Sequence, residues 1–171
     1  MLFFNYMRHR IFVAINLPEE TRGKLVEYQA KWPELPVRWT KKENLHITLE
    51  FLGYLTDEEL IELCQKTKEI ASEKKSFTVQ LNKICYGPTD KKPPRMVWAV
   101  GEKIKEFNIH PHITLGRIKT WEFRRLEPEE RPEINEDIDL SFEVNSIDVM
   151  ESELKKTGPY YVILESCPLK S

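Results

Sequence analysis

His46-Ile-Thr-Leu49 recurs as His112-Ile-Thr-Leu115, and the fold follows from how these two tetrapeptides are read. Each joins two chemically active side chains to two aliphatic ones. In a β-strand, successive side chains point to opposite faces. His46 and Thr48 then share one face, with Ile47 and Leu49 on the other; His112 and Thr114 stand in the same relation to Ile113 and Leu115. Each copy predicts a strand whose apolar side enters a core while an imidazole and a hydroxyl aim elsewhere. Two such strands facing each other would set two histidines around one small anion.

Working outward, Arg10–Asn16 alternates and is rich in Ile, Phe and Val, which predicts a strand. Leu17-Pro18-Glu19-Glu20 opens a helix, with proline in the first turn and acids near the positive end of the dipole. It should run to Lys31, where Trp32-Pro33 stops it. Val37–Thr40 reads as a short strand leading into the first motif strand, which Gly53 closes. Thr56 followed by Glu59 is a capping-box signature and starts a second helix over Asp57–Ser72.

Phe77–Tyr86 and Arg95–Val100 read as strands joined by the loop Gly87–Pro94, and His112–Ile118 is the second motif strand. Thr120–Asn135 is charged, proline-punctuated and without periodicity, so it is expected to be irregular. Leu140–Glu151 and Tyr160–Cys167 alternate again and, with a Gly158-Pro159 turn, predict a terminal antiparallel pair. The pattern is α+β: two half-repeats of helix and antiparallel strands, each supplying one His-x-Thr strand. A purely parallel doubly wound sheet is disfavoured, because the strands after residue 75 lack intervening helices.

Composition narrows the partners. A chain of 171 residues with 40% apolar content can build one domain or two small lobes with a real core. A net charge of −2 argues against broad, charge-driven nucleic-acid binding, although a local basic patch can still hold a small anion. Cys64, Cys85 and Cys167 are odd in number and widely spaced, which speaks against a disulfide framework and fits a reducing cytoplasm. No apolar run approaches the roughly 20 residues of a membrane span, so no membrane partner is expected. Met7 begins a more natural entry into the first strand, so residues 1–6 are expected to be a short N-terminal extension or a mis-called start.

Histidine, with an ordinary pKa of about 6.5, can take and give a proton near neutrality. Hydrolysis of a strained phosphodiester needs a base to activate water and an acid, in line on the other side, to protonate the departing oxygen. A pair of imidazoles supplies both without a metal, and two threonine hydroxyls can donate to the non-bridging oxygens as charge develops there. A lone strand histidine is more often a satisfied structural residue; two in identical four-residue contexts point to chemistry. His110-x-His112 has the spacing of a zinc pair, but no third and fourth ligands of suitable spacing appear, so no metal and no cofactor are expected. His9 reads as a surface residue.

The paired motifs resemble the two-histidine (2H) phosphoesterase superfamily. His46-Ile-Thr-Leu-Glu-Phe-Leu-Gly53, Pro111-His-Ile-Thr-Leu-Gly-Arg117 and the opening Arg10-Ile-Phe-Val-Ala-Ile15 are similar to the RNA 2′,3′-cyclic phosphodiesterase family, once described as 2′-5′ RNA ligases. The likeness covers most of residues 7–167. It implies a single bilobal, pseudo-symmetric α+β domain of two antiparallel sheets with flanking helices, and a central cleft lined by the two His-x-Thr strands. It also implies metal-independent opening of a 2′,3′-cyclic phosphate to a 2′-phosphomonoester, on RNA ends or small nucleoside cyclic phosphates; a monomer is the separate expectation for assembly. On this chain His46 would be the acid, His112 the base, and Thr48 and Thr114 the phosphate holders.

Arg117 matches the arginine that commonly follows the second motif and would bind the same phosphate. Strict alternation places it with Ile113 and Leu115, unless a bulge at Gly116 re-aims it. Tyr54 is a candidate for stacking on a base, Phe51 either stacks in the same way or packs in the core, and Lys91, Lys92 and Arg95 are candidates for steering a polyanion. One departure stands out. Only nine residues separate Val100 from His110, where the resemblance leads one to expect a helix and a connecting loop. The competing readings are 2′-5′ RNA ligation as a side activity, and a non-catalytic RNA- or nucleotide-binding module.

Overall fold

The computed structural model describes residues 7–171; the expected extension, residues 1–6, lies outside the described residues. The elements in chain order are β1 (His9–Asn16), α1 (Glu19–Gln29), β2 (Val37–Trp39), β3 (His46–Leu55), α2 (Asp57–Glu73), β4 (Phe77–Gly87), β5 (Met96–Gly101), β6 (His112–Ile118), α3 (Thr120–Arg125), β7 (Asn135–Val144), β8 (Ser146–Lys155) and β9 (Gly158–Pro168). The strands form two sheets, ordered β3-β1-β8-β9 and β2-β6-β5-β4-β7. The ladders β1–β8, β8–β9, β2–β6, β4–β5 and β5–β6 are all antiparallel. No helix among the described residues is long and apolar enough to cross a membrane.

The chain divides into two compact units. The first takes the described part of Met1–Asn16, then Thr48–Phe77 and Glu143–Ser171. Its central strand β1 is buried on both sides, which explains why Ile11–Ile15 reads as a continuous apolar run. Ile11, Val13 and Val149 pack against Leu49, Leu52 and Leu55 of β3 and Leu60, Leu63 and Cys64 of α2, while Phe12, Ala14 and Met150 meet Tyr161. Helix α2 starts as expected: the Thr56 hydroxyl accepts from the Glu59 N–H at 3.3 Å, and the Glu59 carboxylate accepts from the Thr56 N–H at 2.8 Å. A cap of this kind contributes about 1 kcal/mol.

The second unit comprises Leu17–Ile47 and Thr78–Phe142. Leu25 of α1, Ile84, Val97, Ala99, Ile113 and Leu115 are among its most deeply buried side chains. Residues 120–134, expected to be irregular, instead hold the short helix α3 and a 3-10 turn at Pro128–Glu130. One apolar side chain explains the miss. Phe123 is buried and meets Tyr86 edge-on, with centroids 6.0 Å apart, but a six-residue helix with a single anchor shows no period in the sequence.

Three other expectations change. The alternating stretch Leu140–Glu151 is not one strand: it breaks at Asn145 into the end of β7 and the start of β8, which belong to different sheets. The terminal pair is β8–β9, and its turn is Lys156–Thr157, with Pro159 already inside β9. Gly53 does not close β3, which continues to Leu55. Between β5 and β6 there is no helix. A tight turn bridged by Ile104 and Ile109, with Asn108 at φ 55°, makes the connection.

Candidate active site

Register decides which side chains of β6 share a face. Val100 pairs with His112, Ala99 with Ile113 and Trp98 with Thr114, but Val97 pairs with Gly116 and Met96 with Arg117. Leu115 is therefore the extra residue of a β-bulge, and alternation shifts by one beyond it. His112, Thr114 and Arg117 consequently lie on one face with Val100, Trp98 and Met96, while Ile113 and the buried Val97 and Ala99 face the core. The expected parity conflict at Arg117 is removed by this bulge.

Main-chain contacts hold the bulge in place. The Leu115 carbonyl accepts from the Thr40 N–H at 2.8 Å and from the Gln29 side-chain amide at 2.9 Å. The same amide donates to the Thr40 carbonyl at 2.9 Å, and the Thr40 hydroxyl donates to the Thr114 carbonyl at 2.8 Å. Gln29 is buried at the end of α1, so its amide serves the backbone around Leu115. At Gly116 a Cβ would lie 2.3 Å from Val37 Cγ1 and 2.8 Å from Trp39 Cε3, so only glycine lets β2 close on β6 here.

His112 is exposed at its edge, but the indole of Trp98 is stacked on its ring, with centroids 4.3 Å apart and planes 29° from parallel. Partial burial lowers the His112 pKa from the ordinary 6.5. The Trp98 Nε1 is buried without a hydrogen-bond partner among the described residues.

His46, at the start of β3, is half-buried, and its Nδ1 is 2.7 Å from the Asn44 carbonyl. A carbonyl can only accept, so Nδ1 carries the proton and Nε2 is the nitrogen left for chemistry. The His46 pKa is also lowered: burial is the main cause, the Asn44 carbonyl opposes it, and the positive charges of Arg22 and of a protonated His112 add to the lowering. His46 therefore senses His112 within the second unit. Thr48, two residues on, is partly buried and shares the His46 face by alternation, while Thr114 shares the His112 face.

Beyond Leu49 the alternation of β3 lapses. Leu49, Leu52 and Leu55 all pack on one cluster, which leaves Glu50, Phe51 and Tyr54 exposed. Tyr54 is open to solvent, and Phe51 is not a core residue: it is exposed, with the Arg10 guanidinium 5.2 Å from its ring centroid. Lys91, Lys92 and Arg95 are exposed at and after the β4–β5 loop, and His110 is exposed before β6. Among the described residues no group of three or more His, Cys, Asp or Glu side chains is placed to hold a metal ion.

His9 is more than a surface residue. Its Nδ1 meets Glu151 and its Nε2 meets Asp57, each at 2.7 Å, and these two carboxylates raise its pKa. Nothing in the sequence pointed to Gln29, Arg22 or Trp98 either, because each acts through partners distant along the chain.

The sequence model of the LigT-like phosphoesterase family matches residues 15–98, which include the first motif. A Methanocaldococcus jannaschii protein named RNA 2′,3′-cyclic phosphodiesterase is 28% identical, over 91% of this chain and 98% of its own. A crystal structure of a Thermus thermophilus protein superposes with a TM-score of 0.81 at 28% identity, covering 96% of this chain and 99% of that one. Over residues 15–98 the chain matches the LigT-like phosphoesterase family, and its fold is similar to that of the Thermus thermophilus protein. Escherichia coli LigT, crystallised with phosphate, shares the fold with a TM-score of 0.73 at 22% identity, covering 96% of this chain and 99% of LigT. The second motif lies beyond the matched residues 15–98 and within the fold shared with these structures.

Proposed function

We propose that this LigT-like chain hydrolyses 2′,3′-cyclic phosphate ends of RNA, or small nucleoside 2′,3′-cyclic phosphates, to 2′-phosphomonoesters by metal-independent acid–base catalysis. The observation that carries the reading is that the two His-x-Thr strands bring His112 close enough for its charge to lower the His46 pKa, while His112 is itself held under the Trp98 indole. The curated relative named for this activity supports it. The reading takes residues 1–171 as one catalytic domain.

In the proposed reaction the His112 imidazole takes a proton from water, whose oxygen attacks phosphorus. The bond from phosphorus to the 3′ oxygen breaks, and His46 Nε2 delivers a proton to that oxygen. One water is consumed; the products are a 2′-phosphomonoester and a free 3′ hydroxyl, and proton exchange with solvent resets both imidazoles. His46 suits the acid role because the Asn44 carbonyl favours its charged form. Thr48 and Thr114 serve the non-bridging oxygens, where preorganised donors stabilise developing charge; Arg117, on the same face as His112, adds a guanidinium for phosphate. Ligation to a 2′-5′ linkage is the reverse transfer, with an RNA hydroxyl in place of water, and is a side activity at best.

Incubation with a nucleoside 2′,3′-cyclic phosphate in EDTA, followed by ³¹P NMR, tests the reading. A 2′-phosphate that forms under chelation, and whose rate falls at least about 10²-fold in His46→Ala and in His112→Ala, is the expected outcome. Activity that vanishes on chelation would overturn metal independence, and binding without turnover would favour the non-catalytic module.

A further inference from the structure

One feature of the β6 face is unused by this chemistry. The β2–β6 ladder sets Arg38 directly opposite Arg117. Directly opposed residues project to the same side of a sheet, with Cβ atoms about 4.5–5.5 Å apart. Arg38 thus joins Arg117 on the face that carries His112 and Thr114. Both arginines are exposed, and among the described residues neither is paired with a carboxylate. Like charges set directly opposite one another destabilise a sheet. The sequence around them therefore keeps an arrangement that costs free energy in the protein alone, and an anion placed between the two guanidinium groups would offset that cost.

Charge counting says which anion. A cyclic phosphodiester carries one negative charge and two non-bridging oxygens. A protonated imidazole and two threonine hydroxyls already meet that demand. Each guanidinium brings five N–H donors in a planar fork suited to phosphate, so an opposed pair of them away from the imidazole is surplus for a mononucleotide. An RNA strand adds one phosphodiester charge with every nucleotide. Position agrees as well: four ladder steps separate the His112 and Arg117 rows, about 13 Å at roughly 3.3 Å per residue. The Arg38–Arg117 row lies along the sheet from the imidazole and not on top of it.

We infer that Arg38 and Arg117 form a two-guanidinium clamp for the phosphate backbone of an RNA strand, so that the preferred substrate is an oligoribonucleotide end and not a mononucleotide. The inference rests on the proposed phosphodiesterase reading for its substrate, but the clamp can be tested separately.

The test compares Arg38→Gln and Arg38→Lys with the parent chain on a mononucleoside 2′,3′-cyclic phosphate and on a tetranucleotide ending in the same group. The ratio of kcat/KM values, tetranucleotide over mononucleotide, should fall about tenfold in Arg38→Gln, mostly through KM, and by less in Arg38→Lys, which keeps the charge and loses the fork. In parallel, fluorescence anisotropy follows binding of a labelled tetranucleotide 2′-phosphate against salt. Loss of one phosphate contact should reduce the slope of log K against log salt by about 0.7. A substrate ratio and a salt slope that do not move in Arg38→Gln overturn the clamp, whatever the catalytic rate. A parent chain that turns over neither substrate, yet shows the Arg38-dependent salt slope, overturns the proposed reaction and upholds the clamp.

Discussion

The indole of Trp98 is stacked on the imidazole of His112, 4.3 Å between centroids, and it fits there only because residue 87 has no side chain. A Cβ at Gly87 would lie 2.2 Å from the Trp98 ring. One glycine on β4 thus lets one indole on β5 steady one imidazole on β6. Truncating the indole in Trp98→Leu should return the His112 pKa toward 6.5, by relieving its burial, and lower kcat by roughly tenfold through lost orientation. A ¹H–¹³C NMR titration of the His112 ring reads the first effect without any turnover. An unchanged midpoint would mean that the indole is only packing. Gly87→Ala should push the indole off its seat and move the midpoint the same way.

Both proposed catalytic imidazoles have lowered pKa values in the free protein, His46 and His112 chiefly through burial. Catalysis needs one protonated and one neutral, a state most populated between the two midpoints. The kcat/KM profile should therefore be a bell centred below pH 6.5, because it reports the free protein. Bound phosphate carries negative charge and favours the imidazolium, so the profile of kcat should be displaced upward relative to it. Replacing Arg22 by Gln removes a positive charge acting on His46 and should raise the midpoint that belongs to that residue. A kcat/KM bell centred above about pH 7 would contradict the burial of the pair.

Gln29 is expected to be a stability residue with a functional cost. Gln29→Met keeps the volume but leaves the carbonyls of Thr40 and Leu115 each without the donor seen at 2.9 Å. The loss should be about 1–3 kcal/mol, the usual cost of depriving buried polar groups of a partner. Urea denaturation measures it. Because the same amide braces the bulge that turns Arg117, the variant should also bind a phosphate-terminated nucleotide more weakly.

His9 makes the opposite pH demand. Its pKa is raised in the fold, so the folded state holds the extra proton between 6.5 and the raised value. Its contribution is complete below pH 6.5 and disappears as pH rises through the folded midpoint. His9→Gln should cost about 1 kcal/mol near pH 5.5, a modest figure because Asp57 is exposed, and progressively less as pH rises through the folded midpoint. Thermal melts of both proteins across that range give the comparison; a difference that grows with pH would refute the pairing with Glu151 and Asp57.

Much of this was legible in advance, for definite reasons. Motif strands and the capping box at Thr56 and Glu59 are local patterns, and local patterns survive folding. The bulge at Leu115 is not local: it exists only as a mismatch in pairing with β5, so alternation placed Arg117 on the wrong face. Trp98 reaches His112, and Gln29 reaches Leu115, through pairings that no spacing in the chain displays. The break at Asn145 was hidden because the sequence alternates straight through it while the backbone changes sheets.

The short turn between β5 and β6 has a kinetic side. Val100 finds His112, and Trp98 finds Thr114, by closing a small loop already pinched by Ile104 and Ile109. Loop closure costs entropy that grows with the logarithm of loop length, and contacts near in sequence form early. The His112 half of the site therefore assembles as a hairpin, ahead of the distant contacts that bring β3 into its sheet. Where a helix would have lengthened the connection, this chain gives one of its two motif histidines a head start in folding.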